Sequence, residues 1–274
     1  MLCGNLFTIT KSKMEEEKIK NIAENSPDLF WFLCNHGEPS RIFERGRYAL
    51  TIAAIMEYTA SREDQQKFKE ELQISKKNGK SLWLKDDFKP LKNKSVLEVG
   101  YSNFNNLQRL AEMGASTVVG IDPLGKGCSK ENIKIIKRKL DFESYSEFGK
   151  NGIPEQFDLT YSQSIMDFVD VYGNYWGEMG NYFCSTPESI KKIQAICANL
   201  TKKGGYSIHA GNTPCGMNAF LNKLGMNLEA YIGIPNKITS LVGSLFVFKK
   251  VEDKKISNEE IIKLSKTWDN QNDK

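Results

Sequence analysis

The stretch SVLEVGYSNFNNLQRLAEMGASTVVGID, residues 95–122, decides the fold. It opens on a short apolar run, SVLEVG (95–100), that ends in glycine. Residues 105–113 then place Leu107, Leu110 and Ala111 at helical spacing, and Gly114 suits the left-handed residue that closes a helix. A second β-branched run, STVVGID (116–122), ends in an acid. A strand, a sharp turn, a helix and a second strand make the repeating unit of a parallel sheet with helices on both faces.

The alternation continues downstream. Residues 133–140 and FDLTYS (157–162) read as the third and fourth strands. A helix is expected over 186–200, with Thr186 as its cap, Pro187 in its first turn and Glu188 behind it. Gly204-Gly205 ends that element, and YSIHAG (206–211) is the fifth strand. A helix over 216–224, strands over 228–234 and 244–251, and a short amphipathic helix over 257–268 complete the pattern. The prediction is an α/β doubly wound fold. Such sheets take ligands at the carboxyl ends of their strands. Function is therefore expected in the loops after Gly100, Asp122, Leu140, Ser162 and Ala210.

Upstream, residues 12–80 read as helical throughout, with helices over 14–24, 29–34, 42–59 and 61–75. Residues 76–94 are lysine-rich, broken by Gly79 and Pro90, and read as a linker. The expected organisation is a helical N-terminal cap and linker over 1–90, the α/β domain over 91–251, and a tail with a short helix over 252–274. At about 150 residues per domain, a chain of 274 residues has room for one or two. The balance of 38 basic and 34 acidic residues, net +4, does not demand a nucleic-acid partner. The six cysteines form no CxxC pair and the chain has only His36 and His209, so no metal site is expected and the thiols read as reduced. Tyr48–Met56, the longest apolar stretch, is far short of the ~20 residues of a membrane span, and the N-terminus carries no targeting pattern. The expected location is cytoplasmic.

The chemistry concentrates at the first two strand ends. Gly100 lets the backbone turn sharply and lets a ligand approach it. Asp122 is placed to accept hydrogen bonds from a ribose diol. Two carboxylates, Glu98 and Asp122, suit a ligand that carries hydroxyls and a positive charge. A dinucleotide fits poorly. The loop Gly100-Tyr101-Ser102-Asn103-Phe104-Asn105 has one glycine rather than three, and Glu98 repels a diphosphate. S-adenosylmethionine, with a sulfonium and an ammonium but no phosphate, suits this loop better.

At these residues the chain resembles a family. LEVGYSNF…VVGID is similar to the first two motifs of the class I S-adenosylmethionine-dependent methyltransferases, whose usual first loop is acid-x-Gly-x-Gly-x-Gly. KLDFES (139–144), FDLTYSQSIMDFV (157–169), LTKKGGYSIHA (200–210) and LGMNLEAYIGIPN…SLFVFKK (224–250) resemble its later motifs in order. The match covers roughly 91–250. It implies a Rossmann-like methyltransferase fold with seven strands, the last antiparallel. It also implies cofactor contacts at Glu98, Gly100, Tyr101 and Ser102, at Asp122 and Pro123, at Asp141 and Phe142 beside the adenine, and at Ser162 and Gln163. Ser102 and Phe104 stand where the family has its second and third glycines. The helix usually found between the second and third strands is missing or reduced to a turn.

The acceptor is less legible. Enzymes that methylate base amino groups carry a Pro-Pro-aromatic motif after the fourth strand. Here that place reads Tyr161-Ser162-Gln163-Ser164, which disfavours nucleic acid. Cys215 after the fifth strand matches the nucleophile of some RNA-modifying relatives poorly and reads as an inert thiol. Residues 167–183 form an aromatic insertion with glycines at 173, 177 and 180. It reads as a substrate lid carrying Tyr172, Tyr175 and Trp176, or as a loop packed on the helical segment. His209 near the end of the fifth strand is the candidate general base, with a structural hydrogen bonder as its other reading. Arg47, grouped with Arg41 and Arg45, either receives an acidic substrate or lies on a solvated helix face. The favoured reading is methyl transfer from S-adenosylmethionine to a small molecule. An RNA or protein methyltransferase, and a non-catalytic binding protein of the same fold, are the alternatives.

Overall fold

The computed structural model of the chain describes residues 54–55, 57–78, 89–101, 104–125, 127–163, 187–210, 217–234 and 243–267. Its first long helix, α1, covers Arg62–Asn78. Next come β1 (Ser95–Val99), α2 (Phe104–Glu112), β2 (Thr117–Ile121) and β3 (Ile133–Ile136). A 3-10 turn over Ser144–Glu147 leads to β4 (Phe157–Gln163), α3 (Pro187–Leu200) and β5 (Thr201–Ala210). Then follow α4 (Met217–Lys223), β6 (Met226–Ile234), β7 (Gly243–Lys250) and α5 (Asn258–Thr267). The strands form one sheet in the order β3-β2-β1-β4-β5-β7-β6. β7 is antiparallel to both of its neighbours, and the other pairs are parallel. The order reverses between β1 and β4, so a crevice opens at their carboxyl ends, beside Val99 and its partner Ser162.

β1 is buried at every position, as a strand between two helical layers must be. Leu107 and Leu110 of α2 and Phe68 of α1 cover one face, packing with Val96, Val118 and Val247. Ile193 and Ile196 of α3, Phe220 of α4 and Ile261 of α5 cover the other, packing with Leu97 and Phe248. Each such side chain fully buried contributes about 1.5–3 kcal/mol. Gly114 closes α2 as expected, with φ +93°. Its N–H donates to Ala111 O, and Ala115 N–H donates to Leu110 O. That is the paired-bond arrangement in which a left-handed residue satisfies the last carbonyls of a helix.

The sixth strand begins at Met226 rather than at residue 228, and two further strand bounds change for reasons visible in the structure. The third strand ends at Ile136, not Leu140, because the Lys137-Arg138-Lys139 triplet beyond it is exposed. The fifth strand does not begin after Gly204-Gly205 but runs through them from Thr201. Gly204 takes φ +83° and Gly205 passes so close to β4 that a Cβ there would lie 2.8 Å from Asp158 O. The glycines therefore form an irregularity in the β4–β5 pairing, where the register shifts between Phe157 and Leu159. No helix lies between β2 and β3 among the described residues. Ala54, Ile55 and Phe68 of the N-terminal segment pack into the α2-side core, and the helices expected over 14–24 and 29–34 lie outside the described residues. Among the described residues no helix is long and apolar enough to cross a membrane.

Candidate functional site

Glu98 stands one residue before the end of β1 and Asp122 one residue past the end of β2, each 1% exposed. In the β1–β2 register Glu98 faces Gly120 and Val99 faces Ile121. Gly100 N–H extends the ladder by donating to Ile121 O at 2.8 Å, and Gly100 then turns with φ +74°. Sheet pairing thus brings both carboxylates to adjacent strand ends. Asp122 Oδ1 accepts the Leu124 N–H at 2.7 Å, which fixes the start of the second loop around Pro123. Glu98 Oε1 lies 3.5 Å from Asn106 Nδ2 of α2, and Oε2 is buried with no hydrogen-bond partner among the described residues. Burial pushes the Glu98 carboxyl up to about 8; Asn106 opposes the shift and the Asp122 charge adds to it.

The Tyr101 side chain is fully buried beneath the second loop. A Cβ at Gly120 would lie 2.7 Å from Tyr101 Cδ1, and a Cβ at Gly125 would collide with Cζ and Oη. Gly127, at φ +109°, passes over the Phe104 ring in the same way, and Lys130 Nζ stands 5.0 Å from that ring's centroid. Aromatic bulk in the first loop is thus matched by glycines in the second. Tyr101 Oη also has no hydrogen-bond partner among the described residues. Burial, with the Asp122 and Glu98 charges, pushes the phenol up to about 12, so it stays protonated.

His209 stands beside Ser162 near the carboxyl end of β5, but its side chain is enclosed. It is fully buried between β4 and β5 in a chain of hydroxyls. Nδ1 lies 2.7 Å from Ser162 Oγ and Nε2 lies 2.6 Å from Ser207 Oγ. Ser207 Oγ is 2.7 Å from Thr160 Oγ1, which is 2.9 Å from Thr201 Oγ1, and Thr201 Oγ1 donates to Cys197 O at 2.7 Å. Burial pushes the imidazole down to about 3, so it is neutral. With both ring nitrogens engaged and a weak affinity for protons, this imidazole is arranged to hold strands together rather than to take a proton from an acceptor. Ser162, expected at the cofactor, spends its hydroxyl on this chain.

Asp141 and Phe142 lie in the connection after β3, past the strand end where they were expected. Asp141 is exposed, and its Oδ1 accepts the Ser144 N–H at 2.8 Å while its N–H donates to Ser144 Oγ at 3.0 Å. It organises the following 3-10 turn, and half-buried Phe142 packs on the α3-side core. Gln163 is the last residue of β4 and pairs with Ala210. Ser102, Arg47, Tyr172, Tyr175 and Trp176 lie outside the described residues. The sequence reading missed Asn106, Gly125 and the hydroxyl chain. Gly125 and Gly127, just past Asp122, were the available signal for the second loop.

Two buried, unpartnered oxygens beside a second buried carboxylate fit a ligand that brings hydroxyl and cationic groups. Left orphaned, such atoms each cost about 1–3 kcal/mol. The same acids disfavour a phosphate. These acids end neighbouring strands at the point where the sheet order reverses, in a sheet whose seventh strand is antiparallel. The chain has the fold of the class I S-adenosylmethionine-dependent methyltransferases.

No family model matches the chain, and no curated protein does. Solved structures do resemble it. The N-methyltransferase NodS of Bradyrhizobium japonicum WM9 aligns at 11% identity over 69% of this chain and 97% of its own, with a TM-score of 0.41. The 1,6-didemethyltoxoflavin-N1-methyltransferase of Burkholderia thailandensis aligns at 13% identity over 84% and 90%, with a TM-score of 0.40. An S-adenosylmethionine-dependent methyltransferase of Mesorhizobium loti aligns at 12% identity over 60% and 93%, with a TM-score of 0.38. The strand order carries the conclusion about the fold without them.

Proposed function

We propose that the chain transfers a methyl group from S-adenosylmethionine to a small-molecule acceptor. The observation that supports this reading is the pair of buried acids at the ends of β1 and β2, with Glu98 Oε2 left without a partner. In this reading Glu98 receives the ammonium group, Asp122 the ribose hydroxyls, and the backbone at Gly100 makes room for close approach. When bound, the cofactor supplies a methyl carbon already activated by its sulfonium. The chain's own residues then orient the acceptor against that carbon and exclude water. The neutral, fully engaged His209 is left out of the proton's path. The acceptor is proposed to sit under the aromatic insertion carrying Tyr172, Tyr175 and Trp176, with Arg47 at hand for an acidic group. Closure of such an insertion over the acceptor would suit a small molecule better than a duplex.

Calorimetry of the full chain with S-adenosylmethionine and S-adenosylhomocysteine tests the reading. Micromolar affinity, about 8 kcal/mol, is the expected result. Absence of both heat and thermal shift with either compound at millimolar concentration overturns it. Binding without turnover across a broad acceptor panel would favour a non-catalytic role for the same site.

A further inference from the structure

Tyr101 occupies a position that nothing in the packing requires to be a phenol. Its ring fills the space left by Gly120 and Gly125, a task that phenylalanine performs equally well. Its hydroxyl is buried under Gly125 and unpartnered among the described residues. The acids acting on it are Asp122 and Glu98, each with an oxygen able to accept, and it bonds to neither. A buried donor left unused beside two acceptors is a net loss to the folded chain unless something else completes it.

The geometry points to Tyr101 Oη as a hydrogen-bond donor to the sugar of the bound nucleoside, at the same edge that Asp122 reads. A ribose hydroxyl both donates and accepts. It accepts from Tyr101 Oη and donates to Asp122, so one ligand group satisfies the phenol and the acid together. The phenol remains protonated beside the two acids, which keeps it in the donor role. A sugar lacking the diol leaves the phenol orphaned. Tyr101 is therefore a specificity-determining residue that favours ribose over deoxyribose ligands. The assignment rests on the cofactor reading above.

The test is titration of the full chain and of Tyr101→Phe with S-adenosylhomocysteine and, by competition, with its 2′,3′-dideoxy analogue. The variant is expected to bind S-adenosylhomocysteine about tenfold more weakly. Its affinity for the dideoxy compound should stay within about twofold of wild type, inside the error of independent effects. Its melting temperature should not fall, since an orphaned hydroxyl has been removed. Unchanged affinity for S-adenosylhomocysteine overturns the assignment, and so does an equal loss for both ligands. A variant that melts well below wild type marks the hydroxyl as structural and overturns it too. A wild-type chain that binds neither compound overturns the cofactor reading itself, a result distinct from those above.

Discussion

The hydroxyl–imidazole chain on the α3 side of the sheet and the acid–phenol cluster on its α2 side are equally buried, yet they treat their hydrogen bonds differently. On the α3 side, both nitrogens of His209 are engaged by serine hydroxyls, and the chain of hydroxyls ends on the Cys197 carbonyl. On the same side, buried Lys250 donates to Ala198 O and Leu224 O at 2.9 Å and to Lys254 O at 2.8 Å. One ammonium thus ties the ends of α3 and α4 to the segment leading into α5. On the α2 side, Glu98 Oε2 and Tyr101 Oη have no hydrogen-bond partner among the described residues. A fold that satisfies buried polar atoms on one face has the means to do so on the other. Two such atoms side by side at the strand ends of the crevice, next to a second buried acid, mark the place where a ligand completes the structure.

That contrast is open to direct attack. Lys250→Met should break the satisfied side most severely, because two helix-end carbonyls and a third beyond them lose one shared donor. A loss of about 1–3 kcal/mol for each buried carbonyl left without a donor is expected in urea unfolding. A change below about 1 kcal/mol would mean that those carbonyls find water, and that this side is no better satisfied than the other. His209→Ala comes next, with an expected loss of about 2–4 kcal/mol from the cavity and the stranded serines. Its affinity for S-adenosylhomocysteine should be unchanged. Intact stability with lost methyl transfer would instead place His209 in the chemistry.

The unsatisfied side should respond in binding rather than in folding. Asp122→Ala should weaken S-adenosylhomocysteine by about ten- to a hundredfold, roughly 1.5–3 kcal/mol, with near-normal unfolding. Equal affinity would move the nucleoside site elsewhere. Glu98 gives the smallest and most specific effect, in the pH dependence. Its carboxyl titrates near 8 in the folded chain against an ordinary 4.5, so the folded chain holds an extra proton between those values. Stability from this group is full below about 4.5 and is lost as pH rises through about 8, with a slope of at most about 1.4 kcal/mol per pH unit. Glu98→Gln should flatten that slope. An ammonium-bearing ligand needs the ionised form, so wild-type affinity should climb as pH approaches 8 while that of Glu98→Gln does not. Parallel pH profiles for the two proteins would detach Glu98 from the ligand.

Much of this was legible in the chain, for a physical reason that differs from element to element. β1 and β2 were read within a residue of their ends because a strand buried on both faces must be a short apolar run. Gly114 was legible because a left-handed helix cap selects glycine locally. Glu98 and Asp122 followed from the strand ends they close. β5 was misread at its start because a glycine pair signals a turn, whereas the close approach of Gly205 to Asp158 depends on β4, far away in sequence. The role of His209 stayed open in the sequence for the same kind of reason. Strand position said that it lies near the carboxyl end, but Ser162 and Ser207 decide what its nitrogens do.

The sequence by itself determined the succession of strands and helices along the chain, the turn at Gly100, and an acid at the end of each of two strands, because these depend on residues within a turn or two of one another. The tertiary structure alone decided which buried polar groups find partners. A carbonyl from α3 reaches Lys250 across 52 positions of chain, and a hydroxyl from β4 reaches His209 across 47. Tyr101 Oη meets no such partner. Whether a buried atom is satisfied is a property of what the fold packs against it, and no local pattern encodes that.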